Sequence, residues 1–556
     1  MSADRALLSE AGDDEAPATA GSTGFRALRG RPWAVMAVWV LGVICAFAAN
    51  LQLARTRAVN SDGASNALQA WDMLHGNLLL RGWSLSDVSF YTTELPQYML
   101  VEVVRGLNQD VVHVAAAMTY TLATLLAALL AKGDSTGRQA LGRVLIAAGI
   151  MLAPQLASGT NILISSPDHI GTSVPVMVVW LILDHAYSRA RPRWYVPVVA
   201  GALLGWAEVA DMLVLYIGVV PLVAVCAIRV GQAVAVERKP LTSQWYDMTL
   251  AAAALAGAAA AVLALHIIHA HGGFYMSAPA AQIARNGTTV VRNLGITAQG
   301  LLLLGGADFL GLRLTASTAF TMLHVVGVFL AAWGTGLAAW RFLRDRDLVA
   351  QLLVAGVAVN LAVYVLSTKA SGVTQTREIA AVLPFSAALA GRVLGGRVLG
   401  GRVLAGRLKA AKLAPLLLVV LLGYLAGLAH EISQPPVAAQ NQQLTSWLVA
   451  RHLHTGLSGY WESNVVTLTS GDRVQIRAVG LSGGRLTPST LESKAQWYDP
   501  RRNTASFVVL FPGVVGYPGF TQERAVLATF GQPARTYYVG SYTVLVWNSN
   551  LLSRLR

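Results

Sequence analysis

Charged residues are scarce in this chain, since Asp, Glu, Lys and Arg make up 13% of its 556 residues while 54% are hydrophobic. Soluble globular proteins carry roughly 25% charged residues. The apolar residues gather in many runs of about 20 residues, the length that an α-helix needs to cross a bilayer. The composition therefore argues against a soluble protein and predicts a polytopic α-helical membrane protein.

Cysteine is almost missing: Cys45 and Cys226 are the only two, and both lie inside apolar runs. This argues against a disulfide framework and against a thiolate metal site. A Walker A pattern is also missing. Residues 1–31 are polar and acidic before they turn basic, whereas a signal peptide starts with positive charge and a short apolar core. We therefore expect a disordered cytoplasmic tail over residues 1–31 and a retained first helix.

The net charge of +14 would suggest nucleic-acid binding in a soluble protein. Here much of the excess lies in short loops between apolar runs, where Lys and Arg hold a loop beside anionic lipid on the cytoplasmic side. The charge therefore predicts contact with membrane lipid and no nucleic-acid partner. It also places the protein in the plasma membrane with a cytoplasmic N-terminus.

Eleven helices are predicted from the apolar runs, and alternate connections between them are rich in Lys and Arg. Their approximate bounds are 33–53, 111–131, 139–157, 172–188, 194–210, 212–230, 247–269, 318–341, 347–367, 377–396 and 413–431. Eleven crossings put residues 54–110, 158–171, 270–317, 368–376 and everything after 431 on the outer side. The arginine repeat at 391–408 then lies at the inner surface, where a lipid contact and a ligand site are the two interpretations.

The composition changes after residue 431, and residues 432–556 contain no spanning run. A helical pattern at 444–451, strand-like runs and a helix at 521–530 predict an extracytoplasmic α/β or α+β domain. The strand-like runs are 464–468, 473–479, 506–511 and 536–547. The three predicted parts are thus the tail 1–31, a membrane domain 32–431 with a large first outer loop, and the outer domain 432–556.

Asp62 follows the first helix in the stretch N-S-D-G of the first outer loop. Gly63 permits a tight turn that presents a carboxylate. The alternative is that Asp62 caps the next helix. Aromatic residues surround a second acid of this loop, Glu94, and such a setting suits sugar faces and lipid headgroups equally.

Other candidates lie in the later outer segments. Asp168 and His169 are adjacent, and the pair suits a divalent cation, an acceptor, or simple hydrogen bonding within a loop. Glu208 and Asp211 lie at the outer end of one predicted helix, where carboxylates favour a water-filled cavity nearby, and Asp308 is an acid in a comparable position. Lys369 and Arg377 oppose the positive-inside trend, so Arg377 either grips a phosphate through its planar fork or pairs with Glu378 or a lipid headgroup.

With its large first outer loop, many helices and outer C-terminal domain, the chain resembles the GT-C superfamily of polytopic glycosyltransferases, which includes protein O-mannosyltransferases and cell-wall arabinosyltransferases. The stretch at 60–63 occupies the place of the family's acidic motif. The stretch from Thr376 to Phe385 resembles a late helix start whose arginine contacts the lipid phosphate. Many relatives carry two adjacent acids in the first loop, whereas Asp62 stands alone. Residues 432–556, with G-Y-W at 459–461, resemble uncharacterised actinobacterial-type membrane proteins.

The resemblance implies an inverting transferase that moves a hexose or pentose from a polyprenyl phosphate to a glycan or protein acceptor of the cell envelope. Asp62 would be the general base, and Arg377 with Lys369 would bind the donor phosphate. The remaining candidates would bind substrate or, at Asp168, a divalent cation such as Mg or Mn; the substrate set is Glu94, Trp71, Trp83, Tyr91, His169 and Asp308. The alternatives are a transporter or flippase of a lipid-linked saccharide and a non-catalytic scaffold for envelope assembly.

Overall fold

The computed structural model describes residues 32–153, 160–167, 169–187, 193–276, 282–398, 414–439, 441–514 and 517–555. Asp168, predicted as a metal ligand, lies outside the described residues. Eleven helices match the predicted runs: Pro32–Arg55, Asp110–Lys132, Gly137–Leu152, Ser173–Tyr187, Tyr195–Ala210, Val220–Ala235, Trp245–Ala270, Val325–Trp340, Leu348–Val365, Val382–Val398 and Ala414–Ile432.

Seven of the described helices are long and apolar enough to cross a membrane, or eight if a bent pair counts as one span. The bent pair is Val373–Ile379 with Val382–Gly395, which meet at 57°. Ser173–Tyr187 and Tyr195–Ala210 are apolar but shorter. The multi-pass helical architecture is therefore confirmed, whereas the number of eleven crossings is not.

Ion pairs around Arg392 connect several helices at one end of the bundle. Its guanidinium lies 2.7 Å from Asp184 and 2.6 Å from Asp347, and it donates to the carbonyl of Leu130 at 2.8 Å. The Arg392 side chain is 12% exposed. The prediction that the arginine repeat contacts lipid at the surface is wrong for Arg392, because Arg392 is paired with Asp184 and Asp347. Residues 399–408 of the repeat lie outside the described part of the chain.

The segments predicted to face outward meet one another at the opposite end of the bundle. The amide of Phe274 donates to the carbonyl of Leu79 at 3.0 Å, and the amide of Thr368 donates to the carbonyl of Gln282 at 2.8 Å. The side of the membrane that each end faces stays a prediction.

The first loop folds into two helices, Ser61–Leu74 and Glu94–Arg105, separated by a short strand. The first helix begins after Asn60, whose side-chain oxygen accepts from the amide of Gly63 at 2.8 Å. Asn60 is therefore the cap, and the interpretation of Asp62 as the cap is wrong. Gly63 lies within the helix rather than in a turn. A Cβ there would come within 2.7 Å of Val112, so glycine permits close packing.

The C-terminal region contains a seven-stranded mixed sheet with helices on both faces. Its strands are β3 (Thr455–Ser458), β4 (Gln475–Ser482), β5 (Arg485–Pro488), β7 (Phe507–Val514), β8 (Tyr517–Phe520), β9 (Arg535–Val539) and β10 (Tyr542–Val546), in the order β5-β4-β3-β7-β10-β9 with β8 beside β7. Successive residues of β7 point to opposite faces. Val508 packs with Phe530 of the helix Glu523–Phe530, and Val509 packs with Leu444 of the helix Gln442–Ala450.

Two strand predictions for this region are wrong. The run at 464–468 belongs to the helix Tyr460–Thr469, whose buried residues pack on the sheet, so tertiary contacts override the β-branched composition. The run at 536–547 is a hairpin of β9 and β10, because Gly540 turns the chain with a φ of +59°.

A second, small sheet joins the first loop to the C-terminal region. Its strands are β1 (Trp83–Leu85), β2 (Tyr275–Met276) and β6 (Ser493–Lys494), with β1 in the middle. Ser84 pairs with Ser493 on one side and with Tyr275 on the other. The first loop is therefore held in a fixed register against residues more than 400 positions away in the chain.

Candidate active site

Asp62 and Arg377, 315 residues apart in the chain, meet at the end of the bundle that carries the C-terminal region. The Arg377 guanidinium donates to one Asp62 oxygen at 3.5 Å. The phenol of Tyr460 donates to the other oxygen at 2.6 Å. The side chains of Asp62 and Arg377 are 31% and 32% exposed, so a ligand can reach both.

Arg377 lies in the short 3₁₀ helix Val373–Ile379, not at the start of the long helix as the sequence suggested. The long helix begins only at Val382. Next to Arg377, Thr376 is fully buried against Gly300 of the helix Gly287–Leu304, where a Cβ would come within 2.6 Å. This close packing fixes the segment that presents the guanidinium.

Lys369 lies beside this segment and contacts two carboxylates, Asp87 and Glu378. The Lys369 ammonium is 3.5 Å from Glu378 and makes a shorter contact with Asp87. Burial alone would lower the pKa of Lys369, but Glu378 and Asp87 outweigh it and raise that pKa. Glu378 therefore pairs with Lys369.

His169 belongs to a second, buried polar cluster next to the first. Its Nδ1 lies 3.0 Å from Asp211, and Thr172 donates to the same carboxylate oxygen. Its Nε2 lies 3.9 Å from Glu378. Because Glu378 follows Arg377 directly, His169 is connected to the segment that carries the guanidinium.

Glu94 is part of the packing around this second cluster. It is the first residue of the helix Glu94–Arg105 rather than part of a turn, and it is 1% exposed. A Cβ on Gly171 would come within 1.8 Å of its carboxylate, so glycine leaves the space for it. Burial raises the pKa of Glu94 to about 8. In this structure Glu94 is packed inside the protein, and a role in binding substrate stays a prediction.

The predicted aromatic residues hold the loop together. Trp83 is 2% exposed, its ring packs edge-on against Trp497, and its Nε1 donates to Asp72 at 2.8 Å. Trp83 therefore does not line an open cleft, contrary to the expectation. The phenol of Tyr91 donates to the carbonyl of Leu78 at 2.8 Å.

Trp71 and Asp308 lie in different surroundings. Trp71 packs against His75, with ring centroids 4.4 Å apart. Asp308 follows the helix Gly287–Leu304 and is half-buried. A role in binding substrate stays a prediction for both residues.

Two residues of the C-terminal region reach the site, and sequence reasoning did not assign them. Tyr460 contacts Asp62, and burial together with the Asp62 charge raises the pKa of its phenol well above 10.0. Glu492 is 6% exposed and accepts from Ser65 at 2.8 Å and from Gln69 at 2.6 Å. Burial raises the pKa of Glu492 to about 7. The motif G-Y-W at 459–461 was the one visible signal, and nothing in the local sequence marks Glu492.

A metal site does not emerge from the described carboxylates and imidazoles, since no group of three or more His, Cys, Asp or Glu side chains is arranged to hold an ion. Asp62, Asp87 and Asp211 each contact a basic or imidazole side chain instead. The sequence suggested a divalent cation at Asp168, which lies outside the described residues, so the cation stays a prediction.

The architecture thus defines a polytopic helical membrane protein with a C-terminal sheet. Neither a protein-family model nor a curated protein sequence matches the chain. Among solved structures, it is similar to apo ArnT from Cupriavidus metallidurans, with a TM-score of 0.54, 14% identity and coverage of 95% of this chain and 99% of that one. The match to ArnT bound to undecaprenyl phosphate has a TM-score of 0.52, 12% identity and coverage of 92% and 98%.

An archaeal structure is similar over a smaller share of its own length. It is the oligosaccharyltransferase AglB from Archaeoglobus fulgidus in complex with an inhibitory peptide and a dolichol-phosphate, with a TM-score of 0.47, 12% identity and coverage of 85% and 69%. At these identities the likeness to ArnT establishes the fold, and the predicted GT-C-like architecture is confirmed.

Proposed function

We propose that the protein is an inverting glycosyltransferase that uses a polyprenyl-phosphate sugar and a cell-envelope acceptor at the outer face of the plasma membrane. One observation carries the proposal: Asp62 and Arg377 share one partly exposed site although 315 residues separate them. The similarity of the fold to ArnT, which was crystallised with undecaprenyl phosphate, supports the class of donor.

Asp62 is the proposed base. A hydroxyl of the acceptor gives its proton to the carboxylate as the hydroxyl oxygen attacks the anomeric carbon of the sugar. Tyr460 holds one carboxylate oxygen at 2.6 Å, which orients the group. Arg377 donates to the second oxygen at 3.5 Å, and a donor phosphate that competes for Arg377 would weaken this contact as the carboxylate takes the proton.

Arg377 is the proposed phosphate ligand. As the bond from the anomeric carbon to the phosphate oxygen breaks, its electron pair stays on that oxygen and the lipid phosphate gains negative charge. A guanidinium presents several donors in one plane and stabilises this charge as it develops. Lys369 adds a second positive charge, which Asp87 and Glu378 hold in place. No step is assigned to a metal ion.

The test is a transfer assay with the purified protein in nanodiscs, using labelled polyprenyl-phosphate sugars and cell-wall acceptors. Asp62→Asn keeps the shape of the side chain but cannot take the proton, so transfer should fall by about 10²- to 10⁴-fold. Asp345→Asn is the matched control, because Asp345 is 60% exposed and its ion pair lies outside this site. Unchanged transfer in Asp62→Asn would remove the proposed base.

The same preparation separates the alternatives. Vesicles that translocate a lipid-linked saccharide without any transfer of sugar would favour a flippase. A cell in which substitution of both Asp62 and Arg377 leaves envelope assembly intact would favour a scaffold.

A further inference from the structure

The C-terminal region contains a cavity of about 200 Å³ that the proposed reaction does not use. It lies between the first turn of the helix Tyr460–Thr469, the strand β4 and the strands β7 and β8. Its lining includes the side chains of Tyr460, Trp461, Glu462, Phe511 and Phe520. The lining is completed by Gly459, Val479, Gly480, Leu481, Gly519 and Gln522.

Glu462 is an unusual residue for the wall of this cavity. Glu462 is 2% exposed, and Tyr542 hydrogen-bonds its carboxyl, whereas the Oε1 atom has no hydrogen-bond partner among the described residues. Burial raises the pKa of Glu462 to about 8, so the carboxyl is mainly neutral at pH 7 and can both donate and accept. A buried polar atom that lacks a partner is unfavourable, and a ligand hydroxyl in the cavity would supply one.

The rest of the lining suits a sugar ring. Trp461 and Phe520 offer apolar aromatic surface for the C–H faces of a pyranose or furanose, and Tyr460 and Glu462 offer polar groups for its hydroxyls. Pockets for drug-sized ligands measure roughly 300–1,000 Å³. A cavity of about 200 Å³ therefore suits one sugar residue better than a longer segment of glycan.

Tyr460 connects this cavity to the candidate active site. The same side chain lines the cavity and donates to Asp62 at 2.6 Å. A sugar in the cavity consequently lies one side chain away from the proposed base. This position fits an acceptor, whose hydroxyl must approach Asp62, rather than the lipid-linked donor.

We propose that the cavity between Tyr460, Glu462 and Phe520 is a subsite for one sugar residue of the acceptor glycan, with Glu462 bonded to a ring hydroxyl and the aromatic side chains against the ring. This assignment to the acceptor rests on the proposed function. The C-terminal region then selects the acceptor and delivers it to the site formed by the first loop and Arg377.

Binding of methyl glycosides tests the subsite without any donor lipid. The full chain in nanodiscs is titrated with methyl glycosides of arabinose, mannose, galactose and glucose, and binding is followed by saturation-transfer NMR. At least one glycoside should bind saturably. Glu462→Leu should weaken it about tenfold, because one hydrogen bond is lost, whereas Glu462→Gln retains a donor and an acceptor and should stay within about threefold.

A second variant fills the space and leaves Glu462 in place. A Cβ on Gly480 would have one neighbour within 4 Å, Thr487 Oγ1 at 3.7 Å, so β4 should accept Gly480→Val. Valine in the cavity should weaken glycoside binding by at least about tenfold. Tyr538→Ala is the control, because Tyr538 is 80% exposed on β9, outside the residues that line the cavity. Thermal unfolding of each variant reports whether the region is folded.

The two proposals fail separately. If no glycoside binds, or if binding is unchanged in both Glu462→Leu and Gly480→Val, the subsite is overturned, even where Asp62→Asn abolishes transfer. If Glu462→Leu and Gly480→Val lose binding while Asp62→Asn transfers at the normal rate, the subsite stands and the proposed base fails. Asp62→Asn should keep its glycoside binding, since Asp62 acts on the proton.

Discussion

The two ends of the helix bundle each bring an arginine to an aspartate, but they do so in different ways. Arg392 makes four contacts of 2.6–3.1 Å with the carboxylates of Asp184 and Asp347, and its side chain is 12% exposed. Arg377 makes one contact of 3.5 Å with Asp62, and both side chains are about one-third exposed.

The lengths of these contacts distinguish a structural ion pair at Arg392 from a site at Arg377 that can bind a ligand. Several short hydrogen bonds to carboxylates satisfy the N–H groups of a guanidinium. Removing one partner then leaves a charge without its counter-charge. The long contact between Arg377 and Asp62 lies in a partly open site and costs little to exchange for a phosphate. The geometry, rather than the presence of opposite charges, therefore distinguishes the candidate active site from the opposite end.

Arg377→Gln should have the largest effect on activity. Loss of the guanidinium removes the charge that stabilises the departing phosphate, so transfer should fall by about 10²- to 10³-fold while the protein stays folded. Transfer assays and thermal unfolding on the same preparation measure the two quantities. Arg81→Gln is the control, because Arg81 is exposed on the first loop. Loss of stability with normal activity per folded molecule would give Arg377 the structural role.

Arg392→Gln should show the reverse pattern. It leaves Asp184 and Asp347, which are 14% and 34% exposed, without their shared cation, so the free energy of unfolding should fall by more than the about 0–1 kcal/mol of an exposed pair. Transfer per folded molecule should remain normal. Arg341→Gln is the control, since Arg341 pairs at 4.0 Å with an exposed Asp345 and should cost about 0–1 kcal/mol. A soluble, stable Arg392→Gln protein without transfer would contradict the distinction between the two ends.

Tyr460→Phe should have a smaller effect on the candidate site. It removes one hydrogen bond to Asp62 and keeps the ring that packs in the C-terminal region. A hydrogen bond to a charged group contributes about 1.5–3 kcal/mol, so the rate of transfer should fall by at least about tenfold. The loss of rate should appear as a lower kcat, because Tyr460 orients the base. Equal transfer by Tyr460→Phe and the unchanged protein would show that the C-terminal region does not position Asp62.

Glu492→Gln should change how stability depends on pH. The pKa of Glu492 is raised from 4.5 to about 7, so the folded protein holds this proton more tightly than the unfolded chain. Its contribution to stability is complete below pH 4.5 and is lost as pH rises through about 7. Between pH 4.5 and about 7, the melting temperature of the unchanged protein should therefore drop by on the order of a few degrees. The drop should be smaller in Glu492→Gln. An identical pH profile for both proteins would contradict the role of Glu492.

Much of the architecture was predictable because hydrophobic runs and charged loops act locally. The eleven helices fall where the apolar runs lie, and the helices at 444–451 and 521–530 match the structure closely. The topology placed Asp62 and the outer end of the helix predicted at 377–396 on one side, and in the structure Arg377 lies 3.5 Å from Asp62.

Other features depend on contacts that no local pattern records. Asn60 rather than Asp62 caps the helix, because the residue before the first turn supplies the capping oxygen. Trp83 is buried because a strand of the C-terminal region pairs beside it. Glu492 reaches Ser65 across 427 residues, and only the folded chain shows that neighbour.

The most direct test is a cryo-EM map of the protein in nanodiscs loaded with a polyprenyl phosphate. The account predicts phosphate density about 3 Å from the Arg377 guanidinium, with the Asp62 carboxylate across the same site. Phosphate bound beside Arg392, or anywhere away from Arg377, would contradict it.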